Sequence, residues 1–131
     1  SLINVSNNKP DIKYMYDLSD SLEDKINSLA TKVYNAKSVN YSRTAKKMLR
    51  QFSENGWSDL PICMAKTHLS ISHNPLLKGC PEDYVFDISD ARASLGAGFI
   101  YPLAGNIMTM PGLPAKPRAL DVDSQGNILG L

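Results

Sequence analysis

Apolar residues recur at helical spacing in the first half of the chain. From about Ser21 to Tyr34 they fall on one face of a helix, so the spacing predicts a helix there. Asp20 and Glu23 stand at the separation of a capping box, which places the predicted N-cap at Asp20. The apolar face consists of Leu22, Ile26, Leu29, Ala30 and Val33.

A second helix is predicted from about Ser42 to Asn55. Ser42 is a favourable N-cap, and Asn55-Gly56 provides a stop because glycine accepts the left-handed conformation that ends many helices. The basic residues of this helix could bind phosphate groups, but no aromatic residues interleave with them, which favours a solvated face. The predicted buried stripe is Ala45, Met48, Leu49 and Phe52, and the basic residues are Arg43, Lys46, Lys47 and Arg50.

The second half of the chain has strand patterning. Tyr84, Phe86 and Ile88 alternate with Val85, Asp87 and Ser89, and a short strand is also predicted within Ser38 to Tyr41. Residues 68–81 contain Asn-Pro and Gly-Cys-Pro breakers and are predicted to be a loop. Helices precede strands, so the fold class is α/β or α+β, with a helical first half, a small sheet and a C-terminal β-hairpin. Further predicted strands are 61–66, 99–103 and 107–110, and the hairpin strands are 120–123 and 127–131.

Composition narrows the class of protein. The chain has 131 residues, 43% of them hydrophobic, with 14 basic and 13 acidic residues, so a sizeable core is expected and neither a nucleic-acid nor a membrane partner is indicated. No apolar run approaches the roughly 20 residues of a membrane span, and no signal-peptide pattern opens the chain. The start at Ser1 without methionine suggests a trimmed chain. Cys63 and Cys80 lack metal-site spacing, so reduced cysteines and no metal are expected.

A few residues are candidates for chemistry. No GxxxxGK[ST] phosphate loop occurs in the sequence, and Gly96 and Gly98 form only an isolated GxG, for which close backbone approach is the preferred explanation. Lys66 ends a predicted strand, so it is either an anion contact or a strand-end lysine reaching solvent. His68 and His73 are interpreted as loop residues. Three further charged residues lie close together in the sequence, Asp87, Asp90 and Arg92. The preferred interpretation is an ordinary ion pair of the aspartates with Arg92.

The segment Met110-Pro111-Gly112-Leu113-Pro114 differs in kind from the rest of the chain. Two prolines fix the backbone on either side of a flexible glycine, which gives a stiff apolar loop with few hydrogen-bond donors. Such a loop suits a flat aromatic ligand such as a purine or pterin. It equally suits a crossover between two lobes, and the residues alone leave both alternatives open.

Three blocks of sequence resemble the C-terminal end of formate–tetrahydrofolate ligase, also called formyltetrahydrofolate synthetase. They are Leu60 to Thr67, Arg92 to Phe99 and Asn106 to Pro114, and they occur in the order and spacing of that family. The ending from Asp121 to Leu131 is also similar, whereas residues 1–59 match more loosely. The run from His68 to Pro75 resembles the eukaryotic branch, where the ligase is usually part of a C1-tetrahydrofolate synthase.

The resemblance implies an activity. Members of the family join formate to tetrahydrofolate at the expense of ATP through formyl phosphate, with magnesium and an activating monovalent cation. The product, 10-formyltetrahydrofolate, belongs to one-carbon metabolism and purine biosynthesis, and the expected compartment is cytoplasmic or mitochondrial. Because the family's phosphate loop and main catalytic residues have no counterpart here, the chain is expected to be a C-terminal fragment that is inactive alone and contains no catalytic residue. The parent is expected to form a homo-oligomer.

The resemblance also implies an organisation. Residues 1–59 would end a preceding βα segment with two helices, 60–110 would form a small α/β lobe, and 111–131 would return to the absent nucleotide-binding lobe. Met110, Pro111, Gly112, Leu113 and Pro114 would then lie beside the folate and nucleotide cleft. Two other functions stay open: a stand-alone module that binds a purine or pterin, and a structural or oligomerisation lobe without a ligand role.

Overall fold

Two helices pack on a small mixed sheet in the computed structural model, which describes residues 13–107 and 119–130. The buried apolar residues of both helices and of the sheet form one hydrophobic cluster. The predicted α/β class, the helical first half and the terminal hairpin are confirmed. In chain order the elements are α1 (Leu22–Lys32), β1 (Ser38–Tyr41), α2 (Arg43–Glu54), β2 (Val85–Ser94), β3 (Phe99–Ala104), β4 (Asp121–Val122) and β5 (Ile128–Leu129).

Helix α1 begins one residue later than its sequence predicted. Ser21 is the N-cap, and its hydroxyl accepts a hydrogen bond of 3.1 Å from the amide of Asp24. Asp20 does not cap the helix because its carboxylate accepts a hydrogen bond from the amide of Asp17 instead. Val33 is exposed because it follows the last helical turn. Lys25 is fully buried, although it was not predicted to lie on the buried face of the helix. The predicted apolar face is otherwise confirmed, with Leu22, Ile26 and Ala30 buried and Leu29 partly buried.

Helix α2 follows its prediction closely. The hydroxyl of Ser42 accepts a hydrogen bond of 3.0 Å from the amide of Ala45, and Gly56 has a φ of 76° just after the C-cap Asn55. The predicted basic residues are exposed, and Arg50 forms an ion pair of 2.8 Å with Glu54. The solvated face is therefore confirmed, and the apolar stripe of Ala45, Leu49 and Phe52 is buried, with Met48 partly buried.

The sheet has the strand order β1-β2-β3. Strand β1 runs parallel to β2, with Tyr41 opposite Ile88, and β2 runs antiparallel to β3, with Ile88 opposite Ala104. The register between β2 and β3 shifts at Ser89, between Ile88 and Asp90, as in a β-bulge. Phe86 and Ile88 are buried as their alternation predicted.

The segment 61–66 pairs with β3 without becoming a regular strand. Amides of Cys63 and Ala65 donate to the carbonyls of Ile100 and Pro102, and two bonds return in the other direction. The central bond of this parallel ladder is missing because Pro102 has no N–H to donate to Cys63. The predicted strand is thus reduced to two bridges, Ile62 with Ile100 and Ala65 with Leu103.

The loop of residues 68–81 is confirmed, and its polar groups are organised. Ser70 and Ser72 are both buried, and their hydroxyls lie 2.8 Å apart. The hydroxyl of Ser72 also accepts from the amide of Asn74 at 3.1 Å, and that of Ser70 donates to the carbonyl of Leu77. The loop therefore satisfies its buried polar groups internally.

Two expectations about the end of the sheet need correction. Among the described residues, no atom beyond the chain neighbours lies within 4 Å of a Cβ built on Gly96 or Gly98, so close backbone approach does not explain the GxG. Gly98 instead supplies a φ of +74° in the turn between β2 and β3. Ile107 lies outside any strand, and residues 108–110 of the predicted strand lie outside the described residues. The terminal hairpin is confirmed, with Val122 opposite Ile128.

Candidate functional site

The structure describes the predicted anion contact but not the predicted cleft residues. Met110 and the four residues of Pro111 to Pro114 lie outside the described residues, which stop at Ile107 and resume at Ala119. Lys66 is described, and it lies where the segment 61–66 ends beside Ala104, the last residue of β3. The described part of the candidate site therefore lies at this edge of the sheet.

The ammonium group of Lys66 is held by the main chain. It donates a hydrogen bond of 2.7 Å to the carbonyl of Thr67 and another to that of Ser70, and it lies 5.6 Å from the centroid of the Tyr34 ring. Burial lowers the pKa of Lys66. Among the described residues no carboxylate forms an ion pair with it. A desolvated cation without a carboxylate partner attracts anions, so the anion contact stays a prediction.

A surface depression of about 390 Å³ adjoins this lysine. It opens widely to solvent and combines a cation with an imidazole and a thiol. The thiol of Cys80 also accepts a hydrogen bond from the side-chain amide of Asn35 at 3.7 Å. The lining residues are Lys66, His68, Leu69, Ser70, Ile71, Gly79 and Cys80.

His73 belongs to the predicted loop, and its side chain also contacts residues of strand β2. Its Nδ1 accepts a hydrogen bond of 3.3 Å from the amide of Asp87, and its Nε2 lies 3.3 Å from a carboxylate oxygen of the same residue. The ring packs edge-on against Phe86 at 5.8 Å between centroids. These contacts join the loop to the start of β2.

The predicted ion pairing of the two aspartates is right for one of them. Asp90 lies 3.8 Å from the Nε of Arg92, as expected. Asp87 instead contacts His73 and accepts a hydrogen bond of 2.9 Å from the side-chain amide of Asn40. The reason is distance along β2, because five positions at about 3.3 Å each separate Asp87 from Arg92 by roughly 16 Å, beyond the reach of an ion pair.

Comparison with known proteins identifies the family. A profile of formate–tetrahydrofolate ligase matches residues 1–131, the whole chain. The chain belongs to the formate–tetrahydrofolate ligase family. The resemblance carried by the three sequence blocks is thereby confirmed.

Individual members of the family are closely similar to this chain. A formate–tetrahydrofolate ligase of Roseiflexus castenholzii is 58% identical over 119 residues, and one of Herpetosiphon aurantiacus is 54% identical over 121 residues. Each match covers about nine tenths of this chain (89% and 91%) and 21% of the relative. The human mitochondrial monofunctional C1-tetrahydrofolate synthase is 50% identical over 111 residues, which are 85% of this chain and 11% of that protein. The chain thus spans about a fifth of the length of the bacterial ligases it matches.

Cys63 and Cys80 are free and exposed. Across residues 13–107 and 119–130, no cluster of three or more His, Cys, Asp or Glu side chains is arranged to hold a metal ion. No described helix is long and apolar enough to cross a membrane.

Sequence reasoning missed two features of this edge in the ligase-family chain. The first is the contact of His73 with Asp87, and the second is the tight turn at Gly105. The signal for the second was present, since Gly105-Asn106 directly follows the apolar run of β3. The first had no local signal, because fourteen positions separate the two partners.

Proposed function

We propose that this chain is part of an ATP-dependent ligase that joins formate to tetrahydrofolate and yields 10-formyltetrahydrofolate through formyl phosphate. The observation that carries the proposal is the match of the family profile to all 131 residues, together with 50–58% identity to relatives named for this reaction or for C1-tetrahydrofolate synthesis. The substrates of the full-length protein would be ATP, formate and tetrahydrofolate. Its product would serve one-carbon metabolism, including purine biosynthesis.

We place the chemistry of ATP outside this chain. The sequence has no phosphate loop, and the described residues have no cluster suited to a metal ion, so magnesium and the activating monovalent cation would be held elsewhere in the full-length protein. This chain supplies no catalytic residue in the proposal. The compartment would be the cytoplasm or, as for the human relative, the mitochondrion, and the full-length protein would be a homo-oligomer.

The role of this chain would be to build one wall of the folate and nucleotide cleft. Met110, Pro111, Gly112, Leu113 and Pro114 are the wall residues in this proposal, because a stiff apolar loop presents a flat surface at little entropic cost. Residues 1–59 would complete a preceding βα segment, 60–110 a small lobe, and 111–131 the return to the nucleotide-binding lobe.

Lys66 would contact an anionic group of a substrate in the same proposal. Two of its three ammonium donors serve main-chain carbonyls, which fixes the charge in position and leaves one donor for an anion. Lys66→Gln in the full-length protein should raise the KM for one anionic substrate about tenfold, the loss of roughly 1.4 kcal/mol. The exposed Lys47 is the control, and Lys47→Gln should leave KM unchanged. Equal effects of the two changes would exclude the contact.

Formation of 10-formyltetrahydrofolate from ATP, formate and tetrahydrofolate tests the proposal as a whole. We expect activity in the full-length protein and none in the 131-residue chain alone. Replacing Pro111 and Pro114 together by alanine in the full-length protein should raise the KM for tetrahydrofolate or ATP. Unchanged kinetics would support a purely structural lobe, and activity of the isolated chain would mean that it contains an unrecognised site.

A further inference from the structure

Gly105 occupies a position that no other residue could fill without movement of the chain. Its φ is +74°, and a Cβ built on it would lie 2.8 Å from the carbonyl oxygen of His73. The glycine follows β3 directly and is only five positions before Met110. Both the backbone conformation and the close approach of a neighbouring main chain therefore require glycine here.

The two peptide groups of Gly105 are fixed by hydrogen bonds to β2. Its amide donates to the carbonyl of Asp87 at 3.1 Å, and its carbonyl accepts from the hydroxyl of Ser89 at 2.6 Å. Ser89 reaches this carbonyl because it stands at the register shift of β2, and it shares its single proton with the more distant carbonyl of Leu103 at 3.0 Å. The bulge thus directs one hydroxyl at the point where the chain leaves the sheet.

His73 is held against Gly105 from the other side. The imidazole accepts from the amide of Asp87 and packs edge-on against Phe86, which fixes the backbone of the loop where its carbonyl meets Gly105. Nε2 of the same ring lies 3.3 Å from a carboxylate oxygen of Asp87, so both ring nitrogens face this one residue. His73, Asp87, Ser89 and Gly105 together are called the exit clamp below.

We propose that the exit clamp is a positioning device for the cleft wall of the ligase. Met110 is five residues beyond Gly105, which limits their separation to about 18 Å, and Gly105 sets the direction in which the chain leaves β3 toward the proposed wall. The inference rests on the proposed function, in which Met110 to Pro114 line the folate and nucleotide cleft. His73 and Ser89 are positioning residues in this account and touch no substrate.

Two glycines of the chain make a matched test in the full-length protein. Gly98 has the same φ of +74° at the opposite end of β3, but no atom of the described residues beyond its chain neighbours lies within 4 Å of a Cβ built on it. Gly98→Ala therefore introduces the same backbone strain as Gly105→Ala without the contact to His73. We expect both to lower Tm, Gly105→Ala by more because of the added clash, but a fall of tenfold or more in kcat/KM for tetrahydrofolate or ATP, mainly through KM, only for Gly105→Ala.

A second pair of variants covers the case in which Gly105→Ala fails to fold. His73→Ala removes the acceptor for the Asp87 amide, whereas the side-chain oxygen of His73→Asn can replace Nδ1. We expect His73→Ala to raise the same KM as Gly105→Ala and His73→Asn to restore most of the lost affinity. A purely structural role of His73 would lower Tm in both variants and leave KM unchanged.

The proline replacement separates the failure of this inference from the failure of the proposed function. If replacing Pro111 and Pro114 raises KM while folded clamp variants do not, the exit clamp has no positioning role and the cleft wall stands. If the proline replacement leaves KM unchanged, the cleft wall is wrong, and the positioning inference is wrong with it. The inference is supported only if the proline replacement and the clamp variants raise the KM for the same substrate.

Discussion

The ammonium group of Lys25 in helix α1 donates a hydrogen bond of 3.2 Å to the main-chain carbonyl of Leu60. It also donates to the carbonyl of Ser58, and the residue is 0% exposed. Burial lowers the pKa of this lysine, and the nearby Asp59 opposes the shift only in part. The bond ties α1 to the start of the segment that pairs with β3.

Lys25→Met should therefore destabilise the chain although methionine is apolar and similar in length. The change leaves two main-chain carbonyls without their donor, which lowers the free energy of unfolding. The expected loss is about 2 kcal/mol, because removal of the buried charge offsets part of the cost of the two unpaired carbonyls. Urea unfolding of the 131-residue chain measures the loss. Lys46→Met on the exposed face of α2 is the control and should change stability by less than about 0.5 kcal/mol. Equal stability of the two variants would contradict the role given to Lys25.

Tyr41 should make stability depend on alkaline pH. Its hydroxyl donates to the side chain of Asn27 at 3.0 Å, and burial, with Glu23 and Asp24 adding to the effect, raises the pKa of its phenol well above the usual range. The folded state favours the neutral phenol, so this contribution is fully present below about pH 10, where an unfolded tyrosine titrates, and is lost as the pH rises further.

The test compares stability at several pH values above and below 10. Tyr41→Phe should lose about 1 kcal/mol at neutral pH through its hydrogen bond and should show a shallower decline above pH 10 than the unchanged chain. Tyr14→Phe, at an exposed position, is the matched control for the loss of a hydroxyl. An identical decline in all three proteins would rule out a contribution from Tyr41.

Amides in the irregular segment 61–66 should be protected from hydrogen exchange. Cys63 and Ala65 donate to β3 at 2.8 and 3.0 Å, so their exchange requires opening of the sheet edge. We expect these two amides to exchange at least about tenfold more slowly than that of Leu69, which bonds only to a neighbouring side chain. Amide-resolved exchange followed by NMR measures the rates, and equally fast exchange at all three would show that the edge pairing does not persist.

Ser72→Ala should open the loop of residues 68–81. The hydroxyl belongs to a fully buried residue and accepts from the amide of Asn74, so its removal leaves a partly buried donor unpaired at a cost of about 1 kcal/mol. Trypsin cleavage after the exposed Lys78 should be faster by about fivefold or more, because cleavage follows local opening. Ser53→Ala in α2 is the control, and a cleavage rate equal to that of Ser72→Ala would refute the assigned role.

Local signals predicted the helices and the main strands. The capping hydroxyl of Ser42 and the stop at Asn55-Gly56 are encoded within a few residues, so α2 was predicted almost to its ends. The cap of α1 was predicted one residue early because Asp20 and Ser21 are both good caps and the choice depended on Asp17, which occupies the Asp20 carboxylate. The predicted strand 61–66 was interrupted by Pro102, a residue of a different segment, which no pattern within 61–66 reveals.

The candidate site was predicted in part. The family motif pointed to Met110 through Pro114, and strand position pointed to Lys66. The exit clamp was missed because its partners meet only through the fold: His73 and Asp87 are in a loop and a strand, and Ser89 faces Gly105 only because of the bulge. Gly105 itself was passed over in favour of Gly96 and Gly98, although only at Gly105 does a neighbouring backbone exclude a side chain among these three.

The pairing of β1 with β2 sets the order in which parts of this chain can fold during synthesis. Strand β1 ends at Tyr41, but its partner β2 begins only at Val85, so synthesis delivers both helices well before this strand, against which α2 packs. Contacts of such long sequence separation form slowly. A nascent chain halted before residue 85 would expose Leu49 and Phe52 and would be prone to aggregate, and chaperones that shield apolar surfaces should bind this intermediate in preference to the finished protein.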